Sequence, residues 1–260
     1  MNNIDKKMLE SAKIALDKQF LHKTFYFKKG TEPKYCILME KPGKYINNEE
    51  AELNNLISND NHIESYLNFY IRYLIKWILL DNGRKPFFKP FFELILQKKL
   101  DTNLNERFLN NEIFNDFYFS DIIKYRSKYF KDRSINVNKN LLTKSVVSFR
   151  EEISILSNIQ LIFIFGNVAF KNLIKDNIIN IVKDKNNIID TNRSNMISEL
   201  HGSLHIWKFS ETREIYVIPL IHMSPRSFNV TIRDTYFEYL KKGLTKYREM
   251  VNMKKYLLKV

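Results

Sequence analysis

The chain has 260 residues, 44% of them hydrophobic, which is ordinary for a folded protein and enough to bury one large core. A single cysteine, Cys36, excludes an internal disulfide and any cluster or zinc site built on several thiolates; within the apolar run 35–39 it reads as a buried small hydrophobe. The 42 Lys and Arg against 29 Asp and Glu leave a formal net charge of +13 and a sequence pI of about 9.5. That excess favours a polyanionic partner through phosphate neutralisation and counterion release, against the plainer reading of a lysine-rich surface that only keeps the protein in solution. No apolar run approaches the roughly 18 residues of a membrane span, and residues 1–7 lead into polar sequence, not into a signal-peptide core. The expectation is a protein inside the cell, in cytoplasm, nucleoid or nucleus, without a membrane partner.

In chain order, residues 3–19 carry apolar side chains at Ile4, Met8, Leu9, Ala12, Ile14 and Ala15 and read as an amphipathic helix. Residues 35–40 read as a strand, broken by Pro42 and Gly43. A long helical region follows over 49–80, with a break near 59–61, and residues 81–83 end it. The next strand is expected at 117–123, a helix at 141–156, a third strand at 161–165 stopped by Gly166 and Asn167, and a helix again at 168–174. An asparagine-rich polar insertion covers about 176–210, with an extra strand at 204–209. Residues 215–221 are almost continuously apolar, the mark of a strand buried on both faces, and a long helix begins near 232. Strands alternating with helices predict one α/β domain with a parallel sheet and right-handed crossovers.

Six glycines and six prolines serve the whole chain; Pro42, Gly43, Gly166 and Pro225 follow expected strands, where tight turns bring backbone close to a ligand, and Gly83 and Pro86 precede an aromatic patch. Aromatics make up 14% of the residues and several lie beside basic ones, as in 84–92 and 124–130, a mixture suited to phosphate contacts and base stacking. The carboxyl end of the 215–221 strand hands over to His222, Met223, Ser224, Pro225 and Arg226. In an open α/β sheet that end borders the ligand crevice.

Four segments stand in order at the strand ends: Glu40–Lys41–Pro42–Gly43, residues 120–126 around Asp121, Phe165–Gly166–Asn167–Val168–Ala169, and His201–Gly202 followed by residues 219–226. Their order resembles the uracil-DNA glycosylase superfamily over about residues 35–243. The first segment is similar to the GEAPG motif of the iron–sulfur uracil glycosylases, and the last to the HPSPR motif of the single-strand-selective monofunctional branch. With one cysteine, the iron–sulfur cluster of the GEAPG branch is absent from this chain. The resemblance implies a three-layer αβα sandwich around a four-stranded parallel sheet, a monomer, DNA as partner, base flipping and base excision in DNA repair, and no cofactor.

Carried over position by position, the resemblance makes His222 the donor that stabilises the departing base, where negative charge develops as the glycosidic bond breaks. Ser224 would contact phosphate, and Arg226 would enter the gap left in the stack or anchor in the minor groove. Pro42, Gly43, Gly166, Asn167 and Pro225 complete the expected DNA contacts. Lys41 stands where the family has an asparagine or aspartate that handles the attacking water, so Glu40 is the expected general base or cation stabiliser. A neutral Lys41 would instead attack the sugar and form a Schiff base; a Lys41 that holds phosphate or pairs with Glu40 would mark a protein without turnover.

Asp121 replaces the base-reading asparagine. An ionised carboxylate only accepts hydrogen bonds, so it suits the N4 amino group of a cytosine-type base better than the O4 of uracil; a strand-end aspartate paired with Lys124 or Arg126 is the alternative. Phe87 and Phe88 are expected as the platform under the flipped base, with core packing as the alternative, while Phe91 and Phe92 are expected in the core. His201 and His205 share i, i+4 spacing, but Gly202 and the strand-like run after it argue against one helical face, and no metal is expected.

Overall fold

The computed structural model of the protein describes residues 3–17, 26–39, 63–79, 85–100, 103–122, 139–166, 169–170, 173, 181–182, 200–221 and 230–257. In chain order their elements are α1 (Asn3–Asp17), β1 (Tyr35–Met39), α2 (Ile63–Leu79), α3 (Lys85–Leu96), α4 (Leu104–Leu109), α5 (Glu112–Asp116), β2 (Phe117–Asp121), α6 (Lys139–Ile155), β3 (Leu161–Phe165), β4 (Ile181–Val182), β5 (His205–Lys208), β6 (Glu214–Leu220) and α7 (Val230–Leu257). The protein is α/β. It divides into two compact units, the first drawn from Met1–Leu80 and Thr102–Ile159, the second from Asp81–Asp101 and Gln160–Val260.

In the first unit β1 and β2 pair in parallel, with Tyr35 opposite Phe117 and Met39 opposite Asp121. Both strands are apolar and buried from Cys36 through Met39 and from Phe117 through Phe119, as strands covered on both faces must be. Helix α1 packs against α6 and α2, and α2 against α4. The sequence of α2 explains its position: Glu64, Asn68 and Arg72 recur every fourth residue as one exposed stripe, while Tyr66, Leu67, Phe69, Tyr70, Ile71, Tyr73, Leu74, Ile75 and Ile78 are buried. Helices α4 and α5 were not expected from the sequence. They are one to two turns long, too short to show a period, and are set by local chemistry: the Asn103 side chain caps α4 by accepting from the Asn105 N–H (3.1 Å), and Asn111 turns the chain into α5 with φ 64°.

In the second unit the strand order is β3–β6–β5–β4. β3 and β6 are parallel, with Phe165 opposite Leu220, and β5 and β4 add in antiparallel sense. For β5 and β6 the turn at 209–213 leaves no other choice, since a connection this short joins only antiparallel neighbours; the Arg213 carbonyl accepts there from the N–H groups of Phe209 (3.0 Å) and Ser210 (3.2 Å). The four expected strands are therefore present, with a fifth where 204–209 was read as an extra strand. The two-residue β4, inside the segment read as a polar insertion, is a correction. Ala169, Phe170 and Leu173, from the expected helix at 168–174, are helical and buried.

Helix α3 forms despite two prolines. Pro86 sits in the first turn, where no intrahelical N–H is required, and Pro90 removes only the bond to the carbonyl of residue 86. The spacing of Phe87, Phe88, Phe91, Phe92 and Ile95 then gives α3 one apolar face, all of it buried, and Phe91 meets Phe163 and Phe165 of β3 at ring separations of 5.2 and 5.7 Å. Helix α7 packs on β6 and α3, and Arg248 ties it to the end of α3 by donating to the carbonyls of Leu94 (2.9 Å) and Ile95 (3.4 Å).

Candidate functional site

Each unit carries part of the expected constellation at the carboxyl ends of its parallel strands. In the first unit β2 ends on Asp121, opposite Met39, and the Ile122 N–H donates to the Met39 carbonyl (2.9 Å), extending the pairing one step. Asp121 is fully buried. Tyr26 Oη donates to its Oδ2 at 2.8 Å, a buried contact spanning 95 residues of sequence, and the Tyr26 ring is edge-on to Tyr70 of α2. A tyrosine hydroxyl and an aspartate have complementary donor and acceptor roles, so the carboxylate's orientation is fixed from within the core.

Behind β2 lies a second polar cluster. Glu152 of α6 is completely buried; its Oε2 accepts from Tyr118 Oη (2.8 Å) and Ser120 Oγ (3.1 Å), and its Oε1 from Ser148 Oγ (3.4 Å). Burial, and then the Glu152 charge, push the Tyr118 phenol well above its ordinary value, so it remains a donor throughout the physiological range.

In the second unit the β3 and β6 ends are joined by a bond from the Gly166 N–H to the Leu220 carbonyl (2.9 Å), and Gly166 turns away with φ 94°, a conformation that favours glycine. Ile221 follows β6 and immediately precedes His222. Both of its backbone groups are held: its N–H donates to His201 Nδ1 (3.2 Å), and its carbonyl accepts from Tyr236 Oη (3.3 Å). His201 Nε2 in turn lies 3.3 Å from the Tyr236 carbonyl, and the two rings are 4.2 Å apart. The bonding requires the neutral tautomer with hydrogen on Nε2. Burial favours it too, lowering the His201 pKa from the usual 6.5 to about 4. Tyr236 is pushed well above its ordinary value by burial and keeps its donor.

This clamp depends on two glycines. Gly202, with φ 74°, lies so close to α7 that an added Cβ would come within 2.5 Å of the backbone carbon and oxygen of Tyr239. Gly243, one turn further along α7, lies against the Gly202 carbonyl oxygen. The close approach brings Tyr236 and Tyr239 to the ring of His201, at 4.2 and 6.0 Å.

Phe87 and Phe88 are 2% and 0% exposed. The rings of Phe88, Phe91, Phe165, Tyr236 and Phe237 surround Phe87, two of them stacked at 5.6 Å (Phe91) and 5.3 Å (Phe237). Both rings thus pack in the aromatic core of the second unit, the alternative the sequence left open, because the α3 spacing turns one whole face inward. His205 donates from Nε2 to Ser203 Oγ (2.7 Å), which donates to the Leu200 carbonyl (2.5 Å), and burial lowers its pKa to about 4. Among the described residues no group of three His, Cys, Asp or Glu side chains could hold a metal ion. Glu40, Lys41, Pro42, Gly43, Asn167, His222, Ser224, Pro225 and Arg226 lie outside the described residues.

Tyr26 and Tyr236 were not foreseen. Neither carries a local signal: one precedes β1 by nine residues and the other lies in a long helix, and each acquires its role only through a partner distant in sequence. No protein-family model matches the chain, and no curated protein matches it.

Proposed function

We propose that the protein is a DNA glycosylase with a three-layer αβα fold of the uracil-DNA glycosylase kind. It flips a uracil-like or cytosine-like base out of DNA and cleaves its N-glycosidic bond. The observation that carries this reading is the clamp on Ile221, where two buried side chains, His201 and Tyr236, fix both backbone groups of the residue before His222. A donor that must meet charge developing on a leaving base gains from a mount that does not reorganise during the reaction. The remaining support comes from the order of the motifs: Glu40 follows β1, Asp121 ends β2, Gly166 follows β3 and His222 follows the clamped residue. In this reading His222 faces the leaving base, Glu40 or Lys41 serves the sugar, Asp121 reads the base, and Ser224 and Arg226 hold the DNA.

A second reading, a DNA-binding member of the fold without turnover, is favoured by Asp121, whose Oδ2 is engaged by Tyr26 in a fully buried setting, and by the lysine at position 41. One experiment separates the two. Oligonucleotides carrying uracil, cytosine or modified cytosines are incubated with the protein and then treated with alkali. Abasic sites that vanish with His222→Ala support the enzyme, and tight binding without cleavage supports the binding protein. A borohydride-trapped adduct lost in Lys41→Ala would assign the Schiff-base route.

A further inference from the structure

Helix α7 exposes large apolar side chains that no core claims: Tyr239 is 47%, Met253 57% and Tyr256 75% exposed. With Lys242, Lys246 and Glu249, also exposed, they recur at alternating steps of three and four residues, which places all six on one face of the helix. From Tyr239 to Tyr256 the stripe is about 26 Å long at the usual rise per residue. The opposite face of α7 is buried through Tyr236, Leu240, Leu244 and Tyr247, so the stripe is not a misplaced core.

We propose that this stripe is a track for single-stranded nucleic acid, with bases stacking on Tyr239 and Tyr256 and phosphates meeting Lys242 and Lys246. The helix carries seven Lys and Arg against three Asp and Glu, a surplus of four positive charges in a chain whose net charge is +13. Lysines between exposed tyrosines match a strand that offers a charged phosphate and a π-face at each step. Lys242 already lies over the Tyr239 ring (5.1 Å) and pairs with Glu238 (2.8 Å); the pair is exposed, and a phosphate can take the place of Glu238. Two other occupants fit less well. A lipid surface needs an unbroken apolar face, and here three charged residues lie between Tyr239 and Met253; a second copy of the helix would have to desolvate those same charges. The Tyr239 end of the track is also the end that touches His201, which holds the residue before His222. The inference rests on nucleic acid as the partner in the reading above, not on base excision.

The test measures anisotropy of a fluorescein-labelled oligothymidylate, which carries no uracil or cytosine, against the full chain at several salt concentrations. Tyr239→Ala/Tyr256→Ala weakens binding about tenfold for each ring removed. Lys242→Ala/Lys246→Ala lowers the slope of log affinity against log salt by about 1.4. All four positions are exposed, and unchanged circular dichroism of the variants verifies their folding. Unchanged affinity in the tyrosine variant overturns the proposal. So does a ring dependence found only in binding to phosphatidylserine vesicles, or only in self-association by sedimentation. Absent excision with the ring dependence intact would remove the glycosylase reading and leave the track; intact excision and binding in the tyrosine variant would do the reverse.

Discussion

Gly243→Ala sets two well-characterised effects against each other. In a helix interior alanine is favoured over glycine by about 1 kcal/mol, so propensity alone makes the change stabilising. The tertiary contact opposes it: the new Cβ would press on the Gly202 carbonyl oxygen and come within 3.3 Å of Ile218 Cδ1. A side chain can rotate away from such a contact, but a backbone carbonyl cannot, and Gly202 is itself pinned against the Tyr239 backbone and bonded from its N–H to the Pro219 carbonyl (2.9 Å). Overpacking costs typically about 1–3 kcal/mol, and a rigid neighbour places this case at the upper end. The net expectation is a loss of about 2 kcal/mol. Urea unfolding followed by the fluorescence of Trp207, fully buried in β5, should show a lower midpoint at unchanged slope. Gly30→Ala provides the comparison: its φ of 79° disfavours a side chain, but nothing lies within 4 Å of the added Cβ, so only the left-handed strain of about 1 kcal/mol remains. If Gly243→Ala proved as stable as the parent or more so, the close packing of α7 against Gly202 would be refuted.

Three further outcomes follow from buried polar groups. His201→Gln keeps a donor near the Nε2 position but loses the acceptor for Ile221, whereas His201→Asn keeps that acceptor; hydrogen exchange at the Ile221 amide should accelerate in the first variant and much less in the second, and equal exchange in both would remove the clamp. His201 and His205 have folded pKa values of about 4 against 6.5 when unfolded, so the unfolded chain binds more protons between those values and stability falls as pH drops from 6.5 to 4. The loss is about 3 kcal/mol per histidine; unfolding midpoints that stay flat over that window would contradict the burial of both rings. Tyr118→Phe leaves the buried Glu152 carboxylate with one donor fewer and should cost about 2 kcal/mol in chemical denaturation, while a change below 0.5 kcal/mol would show that this bond carries no stability.

The sequence by itself determined the secondary structure wherever a period or an apolar run was long enough to be read. β3 coincides with the expected 161–165, β1 fills the described part of the expected 35–40, β6 is shifted one residue toward the N-terminus at both ends, β2 stops two residues before the expected end at 123, and the long helices α6 and α7 begin two residues early. Burial on both faces makes β3, and β6 after its exposed Glu214, apolar, and this is visible in the sequence. Short elements, by contrast, are fixed by caps and turns, so α4, α5 and β4 escaped notice. In α3 the prolines masked a helix whose aromatic spacing was itself legible, and packing of that face on β3 decided between a base platform and a core.

The site divides along the same line. The stop of β3 at Gly166 was readable, because a local turn residue sets it, whereas β2 stops at Asp121, two residues before the expected end at 123. The supporting groups were not readable: Tyr26 reaches Asp121 across 95 residues, and Tyr236 reaches Ile221 across 15 through a helix that gives no hint of it. The His201–Gly202 pair was visible as a motif, but the neutral state of the histidine and the need for glycine arise only when α7 comes to rest on them. A hydrogen bond between distant residues leaves no period in the chain, and burial is a property of what packs around a residue. Tertiary structure alone supplies both.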